Sequence, residues 1–196
     1  MKKMNFVKTF VPKGQYKGKE ERDGVCIVHL DGVLNEEMDA YECVECSMPA
    51  SDYSEAAVSE AYAAWKTAMA NRGLARAKRE VLKKIEAYDT SSAVNGFMLN
   101  GAEVWLDFEL RDRVYQGNER LQRIGRTDTT LWLGKQCYNL SIEQAQNIIS
   151  HIEAYAKDCY NVTAAHKKAV GELTSVEEVL SYDYTKGYPA KLTMTV

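Results

Sequence analysis

Cys26-Ile27-Val28-His29 and Cys43-Val44-Glu45-Cys46 are the stretches best equipped for chemistry in this chain. Two Cys/His pairs about a dozen residues apart could supply four ligands, and Zn²⁺ favours tetrahedral thiolate and imidazole sites. Both pairs, however, lie in strand-like sequence, where residues i and i+3 point to opposite faces. Neither tetrapeptide contains the Gly or Pro that marks a zinc knuckle. The reading is therefore core cysteines and a surface histidine, with no metal ligand assigned.

His151 and His166 fall on one helical stretch, about 22 Å apart at 1.5 Å per residue, too far to share an ion. His166 reads as a helix-face residue that hydrogen-bonds locally. There is no Ser/His/Asp order, no P-loop and no GxGxxG. Gly14 and Gly18 are too sparse, and lack the following helix, to cradle a phosphate. No catalytic or cofactor-binding residue is assigned, and the expectation is a protein that is not an enzyme.

Arg72, Arg76, Lys78, Arg79, Lys83 and Lys84 make one helical stretch basic. A solvated face, balanced by Glu80 and Glu86, accounts for them; contact with nucleic acid or an acidic partner is the functional alternative. The net charge of −3 and the absence of interleaved aromatics weigh against nucleic acid. The aromatic set Trp65, Trp105, Trp132, Tyr138, Tyr155, Tyr160, Tyr182, Tyr184 and Tyr188 reads mostly as core and rim. Trp132, on the more polar face of its hairpin, is the candidate for an exposed contact.

The elements that must position these residues fit a chain of 196 residues with ordinary hydrophobic content (45%) and charge (27%), enough for one domain or a core domain with a smaller one. No apolar run is long enough to cross a bilayer, and the N-terminus lacks the apolar region of a secretory signal. Five cysteines without an export signal read as reduced thiols.

Residues 1–50 read as a β-rich attachment segment. Phe6-Val7 and Phe10-Val11 form an apolar lead-in, and Pro12 to Gly24 a loop. Gly24 to Leu34 is a strand pattern with an Asp31-Gly32 turn, and Tyr41 to Met48 a further strand. Residues 51–89 read as a helical connector, capped by Ser51 or Ser54 and rich in alanine. Ala57, Ala61, Ala64, Ala68, Ala75, Leu82 and Ile85 trace a heptad seam that would allow a coiled coil. Asn71 and Lys78 weaken it, and Gly73 is a candidate break; two helices packed on their own domain are the alternative.

Residues 90–196 read as an α+β module. Asn100-Gly101 predicts a type I′ hairpin pairing Leu99 with Ala102 and Phe97 with Val104, with Gly96 leaving room for the Trp105 indole. Asp107 to Ile124 reads as a helix interrupted at Gly117-Asn118. Thr127 to Leu140 is a second hairpin around Gly134-Lys135, with Leu131, Leu133, Tyr138 and Leu140 on one face. Ser141 and Gln144 form a capping box for a long helix reaching Leu173, the expected cover for both hairpins. Thr174 with Glu177 caps a short helix, and Lys191 to Val196 reads as a last strand. The fold class is α+β: short antiparallel hairpins on a long C-terminal helix, preceded by the β-rich segment and the connector.

From about residue 79 to 191 the order and spacing resemble a bacteriophage and prophage domain-of-unknown-function family found in tail-region and tail-fibre-assembly-like proteins. The run YDTSSAVNGFMLNG-x-x-VWL opens the resemblance. The second hairpin and a helix bearing Tyr155, Cys159, Thr163 and His166 continue it. Leu173, Thr174, Glu177, Glu178, Tyr182, Asp183 and Gly187-Tyr188-Pro189 close it. The family brings no catalytic residues. It implies a virion or tail accessory protein acting through contacts with other phage structural proteins, with homo-oligomerisation open and no membrane. The alternatives are a tail-fibre assembly chaperone and a small metal- or ligand-binding regulator.

Overall fold

The structure, a computed structural model, describes residues 4–133 and 135–196. The fold is α+β and divides into two compact units, Met1–Gly73 and Leu74–Val196.

In the first unit β1 (Phe6–Pro12), β2 (Lys19–Arg22), β3 (Val25–Asn35) and β4 (Ala40–Pro49) form an antiparallel sheet of order β1-β4-β3-β2. Alternation of side chains sets its two faces. Phe6, Cys26, Val28, Val44, Cys46 and Met48 are buried together with Val58 and Tyr62 of α1 (Glu55–Asp89). Two expectations change. Pro12 to Gly24 is not all loop: Lys19–Arg22 pairs with Val25–Val28 across Asp23-Gly24, whose φ angles are 51° and 76°. That is a type I′ hairpin. Asp31-Gly32 is not a turn, because pairing with β4 resumes beyond it, from Leu30↔Val44 to Val33↔Glu42. The same dipeptide type makes a bulge inside one strand.

Helix α1 begins after Ser54, whose hydroxyl accepts from the Ala57 N–H at 3.4 Å. It runs unbroken through Gly73. One interior glycine costs about 1 kcal/mol, which the surrounding Ala, Leu, Arg and Lys offset. The buried positions are Val58 and Tyr62, then Ala77, Val81 and Ile85, whereas Ala64, Ala68 and Ala75 are exposed. The seam is therefore not one continuous contact face: Ala61, Leu82 and Ile85 pack on the cores, and the alanines between them do not. Nor is 51–89 a separate connector: Val58 and Tyr62 complete the sheet's core, and Ala77, Val81 and Ile85 join the core of the second unit.

In the second unit β5 (Phe97–Leu99) and β6 (Ala102–Val104) pair in the expected register, with Asn100 at φ 51° and Gly101 at φ 80°. β9 (Thr193–Met194) adds a parallel strand to β5. The space at Gly96 is filled by other groups than the indole: a Cβ there would meet the Ser92 carbonyl at 2.7 Å and the Glu103 carboxylate at 2.8 Å. Helix α2 (Phe108–Arg123) is capped by Asp107 and is not interrupted at Gly117-Asn118. Its buried face carries Arg111 and Asn118, and Phe108 and Ile124 are exposed. β7 (Asp128–Leu133) and β8 (Gln136–Ser141) pair Leu131 with Tyr138 and Trp132 with Cys137. The expected turn at Gly134-Lys135 includes Gly134, which lies outside the described residues.

Helix α3 (Ile142–Glu172) starts at the Ser141–Gln144 capping box. Its Ile148, Ile149 and Ile152 cover Phe97, Leu99, Leu106, Leu131 and Leu133, so one helix closes both hairpins. Tyr160, read from the sequence as one of the core and rim aromatics, is exposed on this helix. The short helix α4 (Val176–Leu180) is capped by Ser175 with Glu178, one residue later than expected. That phase delivers Val179 to a core shared with Val81, Ile85 and Val170.

Candidate functional site

The Cys/His quartet separates by strand parity. Cys26 and Cys46 lie in the core under α1, both fully buried. His29 and Cys43 lie at positions of opposite parity, on the other face. His29 is buried rather than on the surface. Its Nδ1 is 2.6 Å from the Lys17 carbonyl, its Nε2 is 3.4 Å from Glu45, and its ring stacks on Tyr16. Burial pushes the Cys43 and Cys46 thiols up, which favours the protonated form over a ligand thiolate. Among the described residues no group of three or more His, Cys, Asp or Glu side chains converges on a metal position.

The bulge creates a second, unforeseen arrangement. Asp31 takes a left-handed backbone with φ 51°, and its carboxylate accepts from Tyr62 Oη at 2.8 Å and Lys66 Nζ at 3.3 Å. The Tyr62 hydrogen bond chiefly holds the Asp31 carboxyl below its ordinary value. Burial first, and then Asp31, push Tyr62 up to about 12. A lowered acid and a raised phenol are poor proton-transfer groups near neutral pH. They suit a fixed binding wall instead. With Lys8, Val33, Glu42 and Trp65 they line a cleft of about 420 Å³, in which Tyr62 and Trp65 stack at 5.7 Å. Tyr16 packs over Gly32, where an added Cβ would run into its ring, and stacks on Tyr41 at 4.1 Å.

The second unit holds its own cleft, of about 450 Å³, between α2 and α3. Arg111 anchors it. This buried guanidinium donates from Nε to Glu153 at 2.7 Å and from Nη1 to the Leu106 carbonyl at 2.6 Å. Its Cζ lies 5.4 Å from the Trp105 ring centre and 6.0 Å from that of Phe108. A buried Arg stays charged, so these contacts also fix its geometry. Phe108, 67% exposed, and Tyr115, 39% exposed, line the cleft with Lys157. A rigid Arg flanked by exposed aromatics has the composition of a protein-binding hot spot. The sequence offered Trp105, Phe108, Arg111 and Tyr115 at three- to four-residue spacing, but apolar patterning alone assigns Phe108 to the core.

Helix α3 and the C-terminal segment are joined by two sets of polar contacts. Thr163 Oγ1 donates to Asp89 at 2.6 Å and lies 2.8 Å from Tyr188 Oη. His166 spans Tyr182 Oη and the Lys186 carbonyl, each at 2.8 Å. Asp183 accepts from the Thr185 N–H and hydroxyl, which chiefly depress it to about 2. These bonds tie the C-terminal segment to α1 and α3. His151 is exposed and remote in sequence from these partners.

The basic stretch is partly engaged within the second unit. Arg76 pairs with Glu80, and Lys78 Nζ donates to the Gly171 carbonyl at 2.6 Å, at the C-terminal end of α3. Trp132, 63% exposed, faces outward opposite the exposed Cys137, as its hairpin face required.

The chain is a two-unit α+β protein in which two of the clefts are lined by aromatic and charged side chains. No family model, no curated protein and no solved structure matches the chain.

Proposed function

We propose that this chain is a non-enzymatic accessory protein of a bacteriophage tail, working by protein–protein contact. The observation that carries the docking mechanism is the Arg111 cleft, where a buried guanidinium held by Glu153 and the Leu106 carbonyl lies beside the exposed Phe108 ring, and Tyr115 lines the same cleft. The tail setting rests on the resemblance over residues 79–191, a run that falls wholly inside the unit Leu74–Val196. In this reading the second unit engages another phage structural protein with the α2/α3 cleft, and the first unit contributes attachment.

The test is mass spectrometry of purified virions, with affinity capture from infected-cell lysate by the wild-type chain and by Phe108→Ala/Tyr115→Ala. The expected result is a virion component whose capture of a tail protein falls at least about tenfold in the double variant. Both side chains are exposed, so circular dichroism should be unchanged. Absence from virions together with capture of fibre protein would make the chain an assembly chaperone. Absence from virions with no phage-protein partner would overturn both readings.

A further inference from the structure

The two edges of the first unit's sheet are built differently. An open strand edge is a template for pairing with another chain, and proteins usually guard it with charge. β2 is guarded: all of Lys19–Arg22, KEER, is charged. β1 is seven residues long, FVKTFVP, with a single charge; Val7 is 51% and Phe10 50% exposed. Among the described residues no strand pairs with its outer side.

The direction of its free backbone groups follows from the ladder. The Lys13 N–H donates to the Asp39 carbonyl, and the Ala50 N–H to the Gly24 carbonyl. Odd-numbered residues of β1 therefore bond to β4. Phe6, Lys8, Phe10 and Pro12 turn their backbone groups outward, since direction alternates along a strand. Pro12 lacks an N–H, and the outer side is where that loss is tolerated.

We infer that β1 pairs antiparallel with β1 of a second copy of this chain, about a two-fold axis at Thr9, to form one continuous sheet. In that register Lys8 lies opposite Phe10 of the second copy, and both exchange their N–H and carbonyl bonds. Phe6 donates to the Pro12 carbonyl of the second copy, a bond that needs no proline N–H. On the α1 face each Lys8 ammonium meets a Phe10 ring, a cation–π pair repeated by the symmetry. Glu42, paired with Phe10 on β4, adds a carboxylate on the same face. On the other face Val7 meets Val11, with the two Thr9 side chains at the centre, a favourable cross-strand pair. Sliding the axis to Lys8 would set the two lysines directly opposite each other, which is destabilising. Sliding it to Phe10 would match Lys8 against Pro12 and shorten the overlap. The sequence of β1 is thus self-complementary in one register. This inference is independent of the tail reading, because it needs no phage partner.

The experiment is sedimentation equilibrium of the full chain up to roughly 100 µM, with Phe10→Lys and the swap Lys8→Phe/Phe10→Lys. The wild type is expected to dimerise. Phe10→Lys, which brings ammonium groups face to face, should weaken the dimer at least about tenfold. The swap should restore it, because phenylalanine again faces lysine. In a Cys137→Ser background, Thr9→Cys should form a disulfide-linked dimer on mild oxidation. Val7→Cys should not, because residue 7 faces residue 11. A monomeric wild type, a dimer indifferent to Phe10→Lys, or a swap that fails to rescue would each overturn the inference. Unchanged circular dichroism separates loss of pairing from loss of fold.

Discussion

Asp31 and Tyr62 show what a single pair can report. Tyr62 is pushed up to about 12 by burial and by its bond to Asp31. Tyr155, buried near Cys159 and Tyr88 in the second unit, is also pushed up to about 12. An unfolded chain ionises its tyrosines near pH 10. Between about pH 10 and 12 the unfolded state has therefore lost protons that the folded state keeps, so stability present below pH 10 falls as pH rises through about 12. Ultraviolet titration of tyrosinate should show a late-ionising pair, reduced by one in Tyr62→Phe. That variant should also lose about 1 kcal/mol of stability, since Asp31 keeps only Lys66 as a side-chain donor. The separation of the Cys/His quartet was legible in the sequence, because period-two parity is local. The Arg111 cleft was not, since its partners Glu153 and Leu106 lie on different elements.

At the scale of elements, two Asp-Gly pairs carry the lesson. Asp23-Gly24 closes a hairpin and Asp31-Gly32 makes a bulge, and the difference lies in whether β4 continues to pair beyond the dipeptide. That information is non-local, so the dipeptide alone misleads. The capping box of α3 and the Asn100-Gly101 hairpin depend only on neighbours, and both were legible. Helix α2 shows the opposite failure. Gly117-Asn118 looks like an interruption, yet Asn118 is buried against the unit's core, and its Nδ2 has no hydrogen-bond partner among the described residues. An unpaired buried amide destabilises. Asn118→Leu should keep α2 intact and raise stability by about 1 kcal/mol, measured by urea denaturation. A loss of helix signal would show instead that the amide is needed.

At the scale of the molecule, each unit has a core of its own, around Cys26 and Cys46 in one and around Phe97, Leu99 and Ile152 in the other. Gly101 has positive φ and open space around a would-be Cβ, so Gly101→Val imposes backbone strain alone. A β-branched residue there should destabilise the second unit by about 1–2 kcal/mol. Calorimetry should show the heat absorption of that unit moving to lower temperature while the first unit's remains in place; a uniform shift would mean the units melt as one. The division between the units falls at Gly73, which the sequence marks as a candidate helix break, yet α1 runs through it uninterrupted, so no change of backbone pattern accompanies the boundary. That feature bears on how the chain can be cut. Proteases act on backbone that can be drawn out into an extended form, and domains are usually severed at such linkers. Here the residues on either side of the division keep their carbonyls and amides bonded in α1. Excising either unit would leave it with a severed helix end, so limited digestion of the native protein should spare this point and open exposed loops such as Glu36–Asp39 first.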